Sequence, residues 1–345
     1  MKQQTIRPPR RIMILSAGSV AGQKEKQGPL GQRFDIAGDD RFGKNTWEKS
    51  EAEMQRLALG LALSKSGLRE DDMDAMFAGD LINQCISSSY GLACYRIPYL
   101  GLFGACSTCA EGLLMSAISG FDRCAAVTSS HFCSAERQFR FPLEYGGQRP
   151  PTSQWTVTGS GAFVLSALER DLRRISWEFV PEIVEVLPGC IVDRGISDAN
   201  NMGAAMAPAA ADTLERYFRA GHDPAESDLI VTGDLGAEGS AILMDLLTSK
   251  GYDLSANHAD CGTMIFDPEA SDTHAGGSGC GCSAVVLAAD LLERIGRGEL
   301  SDILFVGTGA LMNALAVNQG QTIPGIAHLV RIRGISRKTA EGGLA

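Results

Sequence analysis

The 345-residue chain lacks most of the features that would place it outside the class of ordinary globular proteins. It has no run of Lys and Arg, and its 31 basic against 41 acidic residues give a formal charge of −10. That balance argues against generic nucleic-acid binding and against adhesion to an anionic bilayer by bulk charge, so an anionic ligand must find a local positive site. No window holds 18 uninterrupted apolar residues. The best candidate, Ile303 to Val317, is broken by Gly307, Thr308, Gly309 and Asn313, and nothing in the sequence spans a bilayer by itself. Ten cysteines fall short of the density of a small disulfide scaffold. Several of them, such as Cys94, Cys124 and Cys133, stand in apolar stretches, which implies a reducing, cytoplasmic setting. Charged residues at 21% and apolar residues at 44% exclude the composition of a disordered chain. The basic opening at Arg10 and Arg11 precedes only four strongly apolar residues, Ile12 to Leu15, and is read as leading into a first β-strand rather than as a signal peptide.

Glycine, by contrast, is abundant, with 40 residues in short runs between apolar stretches, which implies tight turns and close backbone approaches. The length is about two domain-lengths of roughly 150 residues. An offset of 154 aligns Gly67, Asp74, Gly79, Asp80 and Leu81 with Gly221, Asp228, Gly233, Asp234 and Leu235. In the first copy Met54, Leu57, Ala58 and Leu61 have helical spacing and the helix stops at Gly67; in the second, Leu214, Tyr217 and Phe218 do the same before Gly221. Each helix leads to an apolar run, Met76 to Ala78 or Leu229 to Val231, that ends in Gly-Asp-Leu. A looser correspondence joins the helix Ala110 to Ser119 and strand Ala125 to Val127 with the helix Ala284 to Ile295 and strand Ile303 to Val306. The expected architecture is an α/β body with parallel-rich sheets, in two related halves of residues 1–172 and 173–345, ligands binding beyond the carboxyl ends of strands. Two unrelated βα units that share Gly-Asp turn chemistry are the alternative.

The segment Gly104 to Leu114, G-A-C-S-T-C-A-E-G-L-L, carries the strongest chemical signal. Thr108 and Glu111 have the spacing of a capping box, which predicts a helix starting there with Cys106 in the preceding turn. The positive end of that helix favours either a thiolate at Cys106 or a carboxylate beside it, so nucleophile and floor of an anion pocket compete. Cys106 and Cys109 form a C-x-x-C, but Cys280 and Cys282 are too far along the chain and too closely spaced to complete a zinc ribbon, and no metal site is expected. Cys109 reads as core. A thiol acyltransferase also needs a base. Of the five histidines, His222 reads as a solvated loop residue and His258 as a turn residue, while His131 follows a strand and could reach a site at its carboxyl edge or remain on the surface.

A nucleophile-like cysteine before a helix in the first of two βα-rich halves resembles the thiolase and ketoacyl synthase superfamily. Within it, the chain resembles the stage V sporulation protein AD family through ten strings in order, from G-P-L-G at Gly28–Gly31 to T-I-P-G-I-A-H at Thr322–His328. Between them stand G-D-L-I-N-Q at Gly79–Gln84, G-A-C-S-T at Gly104–Thr108, T-S-S-H at Thr128–His131, A-E-R-Q-F-R-F-P at Ala135–Pro142, E-Y-G-G-Q at Glu144–Gln148, T-V-T-G-S-G-A at Thr156–Ala162, A-M-A-P-A-A-A-D-T at Ala205–Thr213 and A-G-G-S-G-C at Ala275–Cys280. The resemblance implies a layered αβαβα thiolase-like fold. It implies a soluble subunit of the SpoVA complex, peripheral to the forespore or spore inner membrane, that binds dipicolinic acid (pyridine-2,6-dicarboxylate) during sporulation and germination, with Ca2+ possible as its companion and no other cofactor. Condensing enzymes of the superfamily carry a histidine after the strand of the second half, where this chain has Thr232, Gly233 and Asp234; His274, near the glycine turn, is one residue off the thiolase pattern and is not assigned. That departure argues against an enzyme. The expected binding set is Cys106, Ser107, Asp80, Asn83, Gln84, His131, Arg137, Gln138, Thr158 and Gly159. Arg137 is the carboxylate clamp of that set, with Arg140 a further donor in the same segment, unless Arg137 is tied to Glu136 or Glu144; Asp80 and Asp234 either orient donors, meet calcium or cap helices. The rival expectations are a thiol-dependent acyltransferase and a structural adaptor without ligand. A homodimer is possible, and no nucleic acid is expected.

Overall fold

A computed structural model describes residues 5–140 and 149–337. The string Glu144–Gln148, Glu144 as a partner for Arg137, and the last two residues of the string ending at Pro142 lie outside the described residues. The first apolar run forms β1 (Ile12–Ala21), buried along its whole length. The helix predicted before Gly67 is α1 (Trp47–Ser66). Its start is capped by Thr46, whose side chain accepts from the Lys49 N–H, and it ends at Gly67 at φ 64°, a left-handed conformation that costs glycine nothing. Met54, Ala58, Leu59 and Ala62 form its buried stripe.

The remaining strands are β2 (Ala75–Asp80), β3 (Tyr99–Gly101), β4 (Arg123–Ser130), β5 (Gly159–Ser166), β6 (Phe179–Leu187), β7 (Leu229–Thr232), β8 (His258–Asp260), β9 (Asp302–Ala310) and β10 (Gly325–Ser336). With the two-residue strand Ile36–Ala37 beside β1, they make one eleven-stranded sheet in the order β8-β7-β9-β10-β6-β1-β5-β4-β2-β3. The order is the same from either end once each first-half strand is matched to the strand five later. Among the ten labelled strands the expected parallel pairing is confined to the outer ones, β3-β2-β4 and β8-β7-β9; the two-residue strand Ile36–Ala37 also runs parallel to β1, and Gly277–Ser278 to Trp155–Thr156 in a separate small sheet. The inner pairs, from β4-β5 and β5-β1 through β1-β6 to β6-β10 and β10-β9, are antiparallel. Parallel neighbours need a crossover, and helices supply it only between the outer strands.

The helices complete a layered αβαβα body. α1 covers β1, β4 and β5 from outside, and α5 (Met202–Arg219) covers β9 and β10 from the other outer side. Between the half-sheets lies α3 (Thr108–Ile118), touching β2 and β4 of one half and β9 and β10 of the other. Beside it runs α7 (Cys280–Val286), which continues through a π-helical stretch, Leu287–Leu291, into α8 (Leu292–Gly296). The expected helix Ala284–Ile295 is thus part of a longer buried rod. Among the described residues no helix is long and apolar enough to cross a membrane.

Candidate functional site

The turn before α3 is built from its own side chains. Ala105 takes φ 50°, Ser107 Oγ donates to the Gly104 carbonyl at 2.7 Å, and Thr108 Oγ1 donates to the Ala105 carbonyl at 2.7 Å while accepting from the Gly104 N–H at 3.1 Å. The predicted capping box does not form. Thr108 is the first helical residue and its hydroxyl is spent on the turn, so Glu111 keeps a buried oxygen without a partner. β9 fixes the turn from below: a Cβ at Gly309 would stand 2.5 Å from the Gly104 carbonyl and 3.0 Å from the Ser107 nitrogen, so only glycine admits the approach.

Cys106 lines the space above this turn, and Asp234, just beyond the carboxyl end of β7, lies close enough to bear on its thiol. Asp234 is fully buried. One carboxylate oxygen accepts from the Gly279 N–H at 2.8 Å and the other from Thr308 Oγ1 at 2.8 Å, while Gln154 Nε2 holds the Asp234 main-chain carbonyl at 2.7 Å. Burial pushes the Asp234 carboxyl up to about 7 against the pull of those donors. Burial, followed by the charges of Asp234 and Cys280, pushes the Cys106 thiol well above its ordinary range. The thiolate expected from the helix dipole is therefore not favoured: desolvation and a neighbouring acid outweigh a single turn of N–H groups.

Above Cys106 opens a narrow cleft with a free volume of about 50 Å³, room for a few water molecules, so a larger ligand has to part its walls. Leu81, Phe103, Ala135, Phe139, Met202 and Met312 give it apolar walls, and Cys106, Thr156, Ser278 and Arg140 are its polar groups. Arg140 is ion-paired to Glu136, one turn back on α4 (Phe132–Phe139).

Of the expected binding set, only Cys106 lines this cleft. Ser107 is spent inside the turn. Asp80 is buried and receives the N–H groups of Ile82 and Ser88 and the Ser88 hydroxyl, capping α2 (Ile86–Gly91). Asn83 and Gln84 are exposed, the latter at φ 56°. Gln138 ties that loop down, accepting from the Asn83 N–H and donating to the Leu81 carbonyl. Thr158 donates its N–H to the buried Glu25, and its hydroxyl receives the Phe132 N–H. Gly159 begins β5, where a Cβ would strike Val285. His131 is buried as the cap of α4: Nδ1 accepts from the Cys133 N–H, Nε2 meets the Asp40 carbonyl at 2.9 Å, and burial lowers its pKa. Arg137 is exposed and paired with Glu48, a partner the sequence did not suggest.

The other histidines also have employment elsewhere. His222 is not solvated but stacked on Tyr217, 4.0 Å between ring centroids, with Nε2 3.3 Å from Glu185. His258 meets Thr232 Oγ1 and is pushed down to about 4 by burial; His328 accepts from the Gly189 N–H; His274 pairs with Asp272. No histidine hydrogen-bonds Cys106 among the described residues. Sequence reasoning placed Thr232, Gly233 and Asp234 where the resemblance expects a histidine without bringing Asp234 to the site; it offered Arg140 beside Arg137 and preferred Arg137, and it passed over Thr156 and Ser278 although both lie in recognised strings. Nothing in the sequence singled out Met202 or Met312.

Known structures with this architecture are condensing enzymes and thiolases. The 3-oxoacyl-[acyl-carrier-protein] synthase III of Aquifex aeolicus VF5 superposes with a TM-score of 0.52 at 12% identity, covering 93% of this chain and 99% of that one. Human mitochondrial 3-ketoacyl-CoA thiolase, solved with CoA, gives 0.56 at 12% identity, covering 96% and 100%. At such identity the likeness establishes the thiolase-like fold. In sequence, the chain is 43% identical over 323 residues to stage V sporulation protein AD of Bacillus subtilis (strain 168), covering 92% of this chain and 93% of that protein. Residues 2–333 match the family as a whole, and the chain belongs to the stage V sporulation protein AD (SpoVAD) family.

Proposed function

We propose that the Cys106 cleft binds dipicolinic acid without turning it over, and that the protein serves as the peripheral subunit of the SpoVA complex that moves this ligand during sporulation and germination. The observation that carries the reading is the proximity of Cys106 and Asp234: the thiol is held protonated beside a buried acid, where a condensing enzyme needs a base. What remains is a narrow slot with apolar walls, the hydroxyls of Thr156 and Ser278 inside and the Arg140 fork at hand for a carboxylate. Parting the walls to admit a flat aromatic ring and releasing Arg140 from Glu136 to the ligand are the adjustments binding requires. Among the described residues no three His, Cys, Asp or Glu side chains are grouped to hold a metal ion, so calcium would enter as a chelate with the ligand. The homodimer belongs to the same proposal: β3 is a sheet edge whose Tyr99 and Leu100 are exposed, and Ile86 and Tyr90 beside it are exposed as well.

Calorimetric titration with dipicolinate, with and without calcium, tests the reading, with isophthalate as the control that keeps both carboxylates and lacks the ring nitrogen. Saturable heat for dipicolinate alone, lost in Arg140→Ala, is the expected result. Acyl-CoA that adds mass at Cys106 would move the protein to the acyltransferases, and silence in both assays to the adaptors. Recovery of the protein in the spore inner-membrane fraction tests its placement.

A further inference from the structure

We propose that filling the Cys106 cleft with a dicarboxylate is coupled to uptake of one proton by Asp234, so that the site holds its ligand when Asp234 is neutral and releases it when Asp234 ionises. This rests on reading the cleft as a dicarboxylate site.

The argument begins with what surrounds the carboxyl. From the turn before α3 the Cys106 thiol bears on it; from β9, the Thr308 hydroxyl; from the start of α7, the Gly279 N–H. Cys280 and Cys282 of α7 and Cys261 after β8 stand behind these as thiols held in their neutral form by burial. Asp260, at the end of β8, is the one other carboxyl that bears on Asp234, and it raises the cost of a charge there. Asp260 is itself enclosed by the N–H groups of Leu235, Gly236 and Gly262 and by Thr232 Oγ1. His258, the nearest imidazole on this side, shares Thr232 Oγ1 and is kept uncharged by burial. Each of these groups is a neutral donor, a neutral thiol or an acid, and none of them is a cation.

A ligand seated on Cys106 therefore brings two negative charges to one side of a thiol on which Asp234 bears from the other. Buried like charges on either side of one side chain repel, because little water intervenes. Arg140, released from Glu136, offsets one of the ligand's two charges from the wall of the cleft; the other is answered when Asp234, beside Cys106, takes a proton from the buffer. Burial leaves Asp234 poised near pH 7, so the proton is available at physiological pH without further rearrangement.

The sign follows from linkage. Binding raises the proton affinity of Asp234, so affinity is level below about pH 7 and weakens above it, by up to about tenfold per pH unit if only the neutral form binds. Dipicolinate is a dianion throughout that range and contributes no proton of its own.

The test is dipicolinate calorimetry between pH 6 and 8.5 in pairs of buffers that differ in ionisation enthalpy. The expected result is a binding heat that depends on the buffer with the sign of proton uptake, approaching one proton per ligand above pH 7, and a Kd that rises with pH. In Asp234→Asn the buffer dependence disappears and the Kd stays at its low-pH value across the range. Saturable binding with a pH-independent Kd overturns the coupling and leaves the binding role standing. An undiminished pH dependence in Asp234→Asn overturns it equally, by assigning the proton elsewhere. No binding at any pH overturns both the coupling and the reading beneath it. Because the buffer series is read on the unmodified protein, the outcome does not depend on the variant folding.

Discussion

The two copies of Gly-Asp-Leu have the same sequence and the same place at the end of a buried strand, and they do different work. Asp80 turns into its own half, where it caps α2 through the N–H groups of Ile82 and Ser88 and shares a buried polar cluster with Glu51, Ser129 and Gln55. Asp234 gathers Thr308 and Gly279 from its own half and bears on Cys106 from the other. A repeated turn conserves the local backbone, but the neighbours of its carboxyl are decided by which distant elements are packed on it. The first copy is enclosed within structure, and the second lies behind the cysteine that lines the cleft.

The comparison can be broken most severely at Asp80. Asp80→Ala strips acceptors from three buried donors and should cost roughly 3 kcal/mol or more, seen as a lower urea midpoint, whereas Asp234→Asn, which keeps the shape and an acceptor, should cost no more than about 1 kcal/mol. Equal losses in the two variants would erase the distinction. Gly309→Val comes next. Its side chain would meet the Gly104 carbonyl and dislodge the cysteine turn, with an expected cost of about 1–3 kcal/mol and a much larger fractional loss of dipicolinate binding than of stability.

A third test uses the acid that accompanies Asp80. Burial, reinforced by Asp80, holds the Glu51 carboxyl well above the usual range. An acid whose folded-state pKa is raised binds its proton more tightly when native, so stability is greatest below the ordinary glutamate value, about 4.3, and declines as pH rises from there toward the raised native value. The melting temperature should fall over that window, and Glu51→Gln should flatten the fall by about 1–2 kcal/mol at its upper end. Steady stability across the window would show that this cluster titrates no differently from the unfolded chain.

Thiol reactivity sharpens the other side of the comparison. Alkylation at Cys106, followed by peptide mass because Cys94 and Cys190 are exposed, should be slower than that of those two residues and should speed up several-fold in Asp234→Asn but not in Asp80→Asn. The smallest effect is expected at Arg137. Its exposed pair with Glu48 is of the kind worth less than about 1 kcal/mol, and Arg137→Ala should leave dipicolinate binding unchanged while Arg140→Ala abolishes it.

Local structure was legible to the extent that it depended on neighbours in sequence. α1 ends at Gly67, β2 ends at Asp80 and β7 at Thr232 just before Gly233-Asp234, and the cysteine sits in the turn before a helix, all as composition and spacing imply. The antiparallel inner strands were not legible, because pairing direction depends on which strands the connections bring together. Nor was the capping box, since Thr108 satisfies its spacing and yet finds better acceptors in Gly104 and Ala105. His131 and Arg137 had the right chemistry for a binding site and the wrong direction. A single turn of α4 separates Arg137, which faces Glu48 and solvent, from Arg140, which faces the cleft.

The sequence by itself determined the α/β class, the repeat, the family, the position of the cysteine and the residues Thr232, Gly233 and Asp234 after the strand of the second half. These are properties of local propensity, spacing and residue identity, which do not depend on distant parts of the chain. Only the tertiary structure decided that Asp234 lies beside Cys106, that the thiol stays protonated, and that Arg140, Thr156 and Ser278 share a wall with residues more than 100 positions away. Burial and the approach of two half-sheets set those relations, and both are long-range: the proton affinity of a carboxyl is fixed by the dielectric and the donors around it, and neither is written within its own stretch of chain.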